Sequence, residues 1–108
     1  MPSKRKPEAE QNRDAYSRGL GLLTRREHSA RELKAKLTRK GHAMDEISDA
    51  IGRLRDKSYQ SDDRFGASIA RSRAAQGYGP ARIRAELKSH GLSDAAVRAA
   101  IAAIDADW

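Results

Sequence analysis

The residues of this sequence with chemistry in their side chains are three histidines (His28, His42, His90), two adjacent carboxylates (Asp62-Asp63), a glycine-rich turn (Gly77-Tyr78-Gly79-Pro80) and a long series of arginines and lysines. No two histidines form the i, i+4 pair or the compact His/Asp/Glu spacing of a helical metal site, so no metal ligand is read from them. His28 precedes a helix start and His90 precedes Gly91, where turn packing and the negative end of a helix account for both. Asp62 and Asp63 would need to converge for acid–base work; adjacent residues at a helix start point apart and suit caps better. The glycine-rich turn lacks the Gly-Lys-Ser/Thr ending of a phosphate loop and follows no strand, which removes a nucleotide site. Ser29 has His28 beside it, but sequence neighbours rarely supply triad geometry, and a capping role suffices. The absence of Cys removes disulfide scaffolds, thiolate zinc sites and Cys nucleophiles. The reading is a protein without catalytic, metal or cofactor residues and without a small-molecule substrate: not an enzyme.

The cations carry the functional signal. Twenty-two Lys and Arg against 15 Asp and Glu leave a formal charge of +7. Between Thr24 and Lys40 stand seven basic residues (Arg25, Arg26, Arg31, Lys34, Lys36, Arg39, Lys40) and two acidic ones. Pro80 to His90 holds Arg82, Arg84 and Lys88 against Glu86, with Arg71 and Arg73 just before the turn, whereas Ser93 to Trp108 has Arg98 against Asp94, Asp105 and Asp107. A row of cations on a rigid helix neutralises phosphates and releases counterions; six such contacts give a log-affinity slope of about −5 against log salt. The same pattern suits an acidic protein groove, or plain solvation of an Ala-rich helix. A helix-turn-helix reader would concentrate base contacts on its recognition helix. The segments around Asp45 to Asp56 and Asp94 to Ile104 contain no Asn or Gln, so sequence-specific readout is not expected.

Positioning these charges falls to short helices. No period-2 run of β-branched residues occurs, and Gly, Pro, Ser and Asp cut the chain into helix-length pieces, which predicts an all-α protein. Shifting the sequence by 50 residues lays Leu33, Ala35, Leu37, Gly41, Ile47, Ala50, Ile51 and Leu54 on Ile83, Ala85, Leu87, Gly91, Val97, Ala100, Ile101 and Ile104 without a gap. Two tandem three-helix repeats follow, residues 13–60 and 61–108, behind a flexible tail over 1–12 that has two Pro, alternating charge and no large apolar residue after Met1. In the first repeat, a helix over about Asp14 to Thr24 carries Tyr16, Leu20 and Leu23, with Gly19 and Gly21 weakening it by roughly 1 kcal/mol apiece. Ser29 with Glu32 is a capping-box pattern ahead of Leu33 and Leu37, Gly41 ends that helix, and the third starts near Asp45. In the second repeat Ser61 or Asp62 caps a helix with Phe65 and Ile69, Pro80 takes a first helical position, Gly91 ends the middle helix, and Ser93 or Asp94 opens the last. Nineteen Ala among the hydrophobic residues make each core thin, so stacked, elongated modules are expected rather than a deep cavity. There is no secretory signal and no membrane-length apolar run, which predicts a cytoplasmic protein with no membrane contact; a monomer is expected.

With these residues in hand, a family resemblance can be read. Leu22-Leu23-Thr24-Arg25-Arg26-Glu27-His28-Ser29-Ala30-Arg31-Glu32-Leu33, continued by Lys36-Leu37, resembles the first-repeat signature of the bacterial RecX family of regulators of the RecA recombinase. Asp62-Asp63-Arg64-Phe65 resembles its mid-chain signature, and Arg73-Ala74-Ala75-Gln76-Gly77-Tyr78-Gly79-Pro80 with Ile83, Glu86 and Leu87 its second, so the likeness covers about residues 14–108. It implies an array of three-helix repeats bound along the groove of the RecA–single-stranded DNA filament. Such binding limits filament growth and inhibits strand exchange, ATP hydrolysis and co-protease activity, in homologous recombination and the SOS response. It also implies contact with single- or double-stranded DNA. The family usually carries a third repeat, which would begin where this sequence stops, at Asp107-Trp108; the chain reads as a fragment or as a two-repeat member, with reduced avidity and with Trp108 a stranded core aromatic. The expected contact set for RecA or DNA is Arg25, Arg26, Arg31, Lys34, Lys36, Lys40, Arg71, Arg73, Arg82 and Arg84, with Tyr78 either an exposed stacking surface or a buried turn aromatic. The rival reading is a general DNA-binding module that uses the same cations without a recombinase.

Overall fold

A computed structural model describes residues 13–104, so the expectations for the tail over 1–12, for Asp105, for Asp107 and for Trp108 lie outside the described residues. Six helices follow in order: α1 (Ala15–Arg25), α2 (Ala30–Arg39), α3 (Met44–Asp56), α4 (Asp62–Ala75), α5 (Pro80–Ser89) and α6 (Asp94–Ala102). There is no strand among the described residues, and the all-α reading stands.

Helix starts follow cap chemistry. The side chains of Asp14, Ser29, Ser61 and Ser93 accept from the amides of Ser17, Glu32, Arg64 and Ala96, satisfying orphan donors of α1, α2, α4 and α6. Of the alternatives left open by the sequence, the serine is the cap each time. Pro80 opens α5, where its missing N–H costs nothing. The third helix begins at Met44, a residue before the expected Asp45, with Ala43 at the cap and no side-chain bond to it; the Asp45 carboxylate accepts from Glu46 instead. Gly41, Gly77 and Gly91 end α2, α4 and α5 at φ of 91°, 90° and 80°, the left-handed region that glycine adopts without steric cost. The same role after α3 falls to Ser58, at φ 63°.

Two separate cores form. Ala15, Leu33, Leu37, Ile47, Ala50, Ile51 and Leu54 make one, and Phe65, Ala70, Ile83, Leu87, Leu92, Ala96, Val97 and Ala100 the other. The 50-residue correspondence reaches into the first helices, where large and small residues exchange: Ala15, Tyr16, Gly19 and Leu20 stand opposite Phe65, Gly66, Ile69 and Ala70, which conserves volume while moving it around the face. Gly19 is therefore more than a weak point in α1. A Cβ there would come within 2.8 Å of Leu54 Cδ1, so its absence lets α1 approach α3. Helix pairs pack within α1–α3 and within α4–α6. The molecule measures 58 × 31 × 20 Å with a radius of gyration of 16.4 Å, well above the roughly 13 Å of a compact domain of this length.

Candidate functional site

The first group of cations surrounds the turn from α1 into α2. Arg26 forks onto the Glu32 carboxylate and donates to the Glu27 carbonyl at 2.9 Å, and Lys36 approaches Glu32 at 3.7 Å. Glu32 thus faces Arg26 and Lys36, so of the capping-box pattern the bond from the Glu32 amide to Ser29 Oγ forms while the glutamate side chain serves the ion pair. Its hydrogen bond to Arg26 holds the Glu32 carboxyl below the usual range and raises Arg26. His28 sits beneath this network, 1% exposed. Its Nδ1–H donates to the Arg26 carbonyl at 3.0 Å, and its Nε2 accepts from Lys36 Nζ at 3.0 Å, a pairing only the neutral ring can make. Burial lowers its pKa.

A polar joint connects the two modules. Asp62 Oδ1 accepts from the amide of Ala30 and from Gln60 Nε2, both at 2.9 Å, and Gln60, 2% exposed, also donates to the His28 carbonyl at 3.3 Å. Arg64 Nε donates to Glu27 at 2.9 Å. Asp62 therefore serves the start of α2, a helix of the other module, while Ser61 caps the helix that Asp62 begins. The aliphatic stem of Arg31 lies on Gly91, where a Cβ would meet Arg31 Cδ at 2.9 Å.

The second group lines a cleft of about 520 Å³ between α1 and α2, whose lining is Arg13, Arg18, Arg25, Lys36, Arg39 and Lys40 with Gly21, Leu22 and Leu37. No carboxylate lines it. Three of these six, Arg13, Arg18 and Arg39, fall outside the contact set read from the sequence. They come from before α1, from mid-α1 and from the end of α2, and the only signal for them was the general density of cations.

In the second module Arg73 and Arg82 are engaged. Arg73 binds Glu86 through Nε and Nη2, both at 2.8 Å, which lowers the Glu86 carboxyl and raises Arg73. Arg82 stacks 4.1 Å from the centre of the Tyr78 ring, and Tyr78 is half-buried against the core, so one face of the ring is covered by a cation. Lys34, Arg71 and Arg84 are exposed on α2, α4 and α5. No cluster of three or more His, Cys, Asp or Glu suited to a metal occurs among the described residues. None of the described helices is long and apolar enough to cross a membrane.

The fold is a tandem array of two three-helix modules with cations on several of its helices. The model of the first three-helix domain of RecX matches residues 15–54, and that of the second matches residues 61–101. The chain belongs to the RecX family of regulatory proteins. It is 52% identical over 91 residues to the regulatory protein RecX of Xanthomonas axonopodis pv. citri (strain 306), covering 84% of this chain and 56% of that protein. It is 46% identical over 91 residues to the one of Stenotrophomonas maltophilia (strain K279a), with the same coverage of both chains. A crystal structure of a regulatory protein RecX superposes with a TM-score of 0.78 at 22% identity, over 94% of this chain and 55% of that one, which agrees with the fold. The chain thus spans a little over half the length of the relatives it matches.

Proposed function

We propose that this chain is a non-enzymatic regulator that docks, as a monomer in the cytoplasm, on the RecA–single-stranded DNA filament and mainly inhibits its recombinase, ATPase and co-protease activities. The observation that carries the reading is the pairing of RecX-type modules, matched over residues 15–54 and 61–101, with cationic first and middle helices. The geometry supports a division of labour within the contact set. Arg26, Arg31, Arg73 and Arg82 are engaged by Glu32, Gly91, Glu86 and Tyr78, and they set the shape of the docking face. Lys36, bound by His28 and Glu32, belongs with them, and Arg25, Lys34, Lys40, Arg71 and Arg84 with Tyr78 complete the contact set. Preformed RecA filaments should retain the protein at low salt, and its addition should slow ATP hydrolysis by the filament. Failure of the filament to retain it would overturn this reading.

A second reading, a DNA-binding module that needs no recombinase, is favoured by the carboxylate-free cleft. Titrating naked and RecA-coated single strands across a salt series separates the two, since affinity independent of the protein coat supports only the second.

A further inference from the structure

Lys36 and His28 make a pair that the fold does not require. The 50-residue correspondence puts Glu86 opposite Lys36 and Tyr78 opposite His28, and the second module closes its core with neither a lysine nor a histidine at these places. In the first module Lys36 Nζ stands 3.0 Å from His28 Nε2. The other ring nitrogen donates to the Arg26 carbonyl at 3.0 Å, which fixes the proton on Nδ1 and leaves the Nε2 lone pair for the amine. An amine, a base within hydrogen-bond reach and a third group that orients the base form the arrangement of an activated nucleophile.

From this arrangement we propose that Lys36 is a site of chemical acylation, with His28 as its base and acyl phosphates as the acyl donors. The neutral Lys36 amine, its first proton lost to solvent, attacks the acyl carbonyl carbon with its lone pair. As the C–N bond forms, His28 Nε2 accepts a proton from the nitrogen, and the C–O bond to phosphate breaks with its electron pair leaving on the phosphate oxygen. The imidazolium then gives its proton to the departing phosphate, so the products are an Nε-acyl lysine and hydrogen phosphate. This chemistry needs neither a filament nor a nucleic acid.

Three observations select Lys36 and this donor. Its side chain is 30% exposed and lines the α1–α2 cleft of about 520 Å³, room for a small reagent, whereas His28 is buried and shielded from reacting itself. Second, its contacts differ in kind from those of other lysines. Lys88 is paired with the Asp94 carboxylate at 2.9 Å, and that hydrogen bond holds Asp94 below the usual carboxylate range, a weaker base than an imidazole. Lys57 lies over the ring of Tyr16, which accepts no proton. Glu32, 3.7 Å from Lys36, is itself forked by Arg26, which takes up its charge. Third, Arg25 and Arg39 line the same cleft and no carboxylate does, so a phosphate dianion is held near Lys36 in preference to an uncharged acyl donor.

The test is incubation of the full chain with acetyl phosphate near neutral pH, with acetylation at each lysine followed by peptide mass mapping. Lys34, exposed on the same helix, is the internal standard. Lys36 should react about 10-fold faster or more, the low end of what a positioned base supplies. His28→Gln should bring the two rates level and leave Lys34 unchanged, with circular dichroism verifying the fold. A pH profile of the parent chain decides independently of any variant. The ratio of the two rates cancels the proton loss common to both amines, so it should fall as pH drops through the lowered pKa of His28, where a protonated ring no longer accepts. The charged groups facing the ring are Arg26, Glu32 and Lys36; Glu32 stays ionised through this range, and Asp62, across the joint, takes the Ala30 amide. Equal rates at Lys34 and Lys36, a ratio untouched by His28→Gln in a folded variant, or a ratio flat down to about pH 5 would overturn the proposal. The uncharged ester N-acetoxysuccinimide is run in parallel. Its preference for Lys36 should be smaller, and Arg25→Ser/Arg39→Ser should slow only the reaction with acetyl phosphate; equal preference from both reagents overturns the assignment of the donor.

Discussion

His28 shows how one residue joins charge to stability. Its ring is buried, donates to Arg26 and accepts from Lys36, and the charged groups around it are the guanidinium of Arg26, the ammonium of Lys36 and the carboxylate of Glu32. Protonation would abolish the bond from Lys36 and set two cations 3.0 Å apart. Because burial depresses the folded-state pKa below the 6.5 of a free imidazole, the folded protein prefers the neutral ring. The stability from that preference is fully present above about 6.5 and is lost as pH falls through the lower folded value. Glu32 and Glu86 are shifted below 4.5 and stay ionised across this window, so they add to acid instability only further down. Melting temperature should therefore decline between pH 7 and pH 5, and His28→Gln should flatten that decline. An unchanged slope in the variant would assign it to another group.

At the scale of elements, the caps and helix ends give two predictions of opposite sign. Ser29 is fully buried and its hydroxyl accepts from the Glu32 amide, so Ser29→Ala should cost about 1 kcal/mol in denaturant unfolding, within the roughly 0.5–2 kcal/mol range of lost caps. Ser58 holds a left-handed conformation that the other helix ends give to glycine. Ser58→Gly relieves a conformational cost of about 1 kcal/mol, only partly offset by a more flexible unfolded chain, and should raise the unfolding midpoint modestly. The sequence showed most of these elements directly, since apolar spacing, Ser caps, Pro80 and three glycines are local signals. It did not show Ser58, because serine carries no signature of a positive φ, and it placed the start of α3 on a capping carboxylate where the chain turns at Ala43 without one.

For the molecule as a whole, separate cores joined by a polar link predict uneven stability. Leu37 is fully buried in the first core, and Leu37→Ala should destabilise that module by about 2–5 kcal/mol. Hydrogen exchange should then speed mainly in α1–α3 while α4–α6 keep their protection, as in repeat proteins with nearest-neighbour coupling. Equal acceleration in both halves would show a single cooperative unit instead. Asp62→Ala removes the acceptor shared by the Ala30 amide and the buried Gln60 side chain, at a cost of about 1–3 kcal/mol. It should also loosen the angle between modules, read by X-ray scattering as a radius of gyration above that of the parent chain.

The sequence alone determined the helices, the duplication, the two thin cores and the RecX likeness, because each follows from periodicity, caps and turn residues within a few positions of one another. Only the tertiary structure decided which cations are tied up and which gather. Arg26 and Arg73 are held by glutamates 6 and 13 residues away, Asp62 reaches back 32 residues to the start of α2, and Arg13 and Arg39 line one cleft. Charge acts through space at distances of a few ångströms, and a linear pattern does not record which distant residues the packing of helices brings that close.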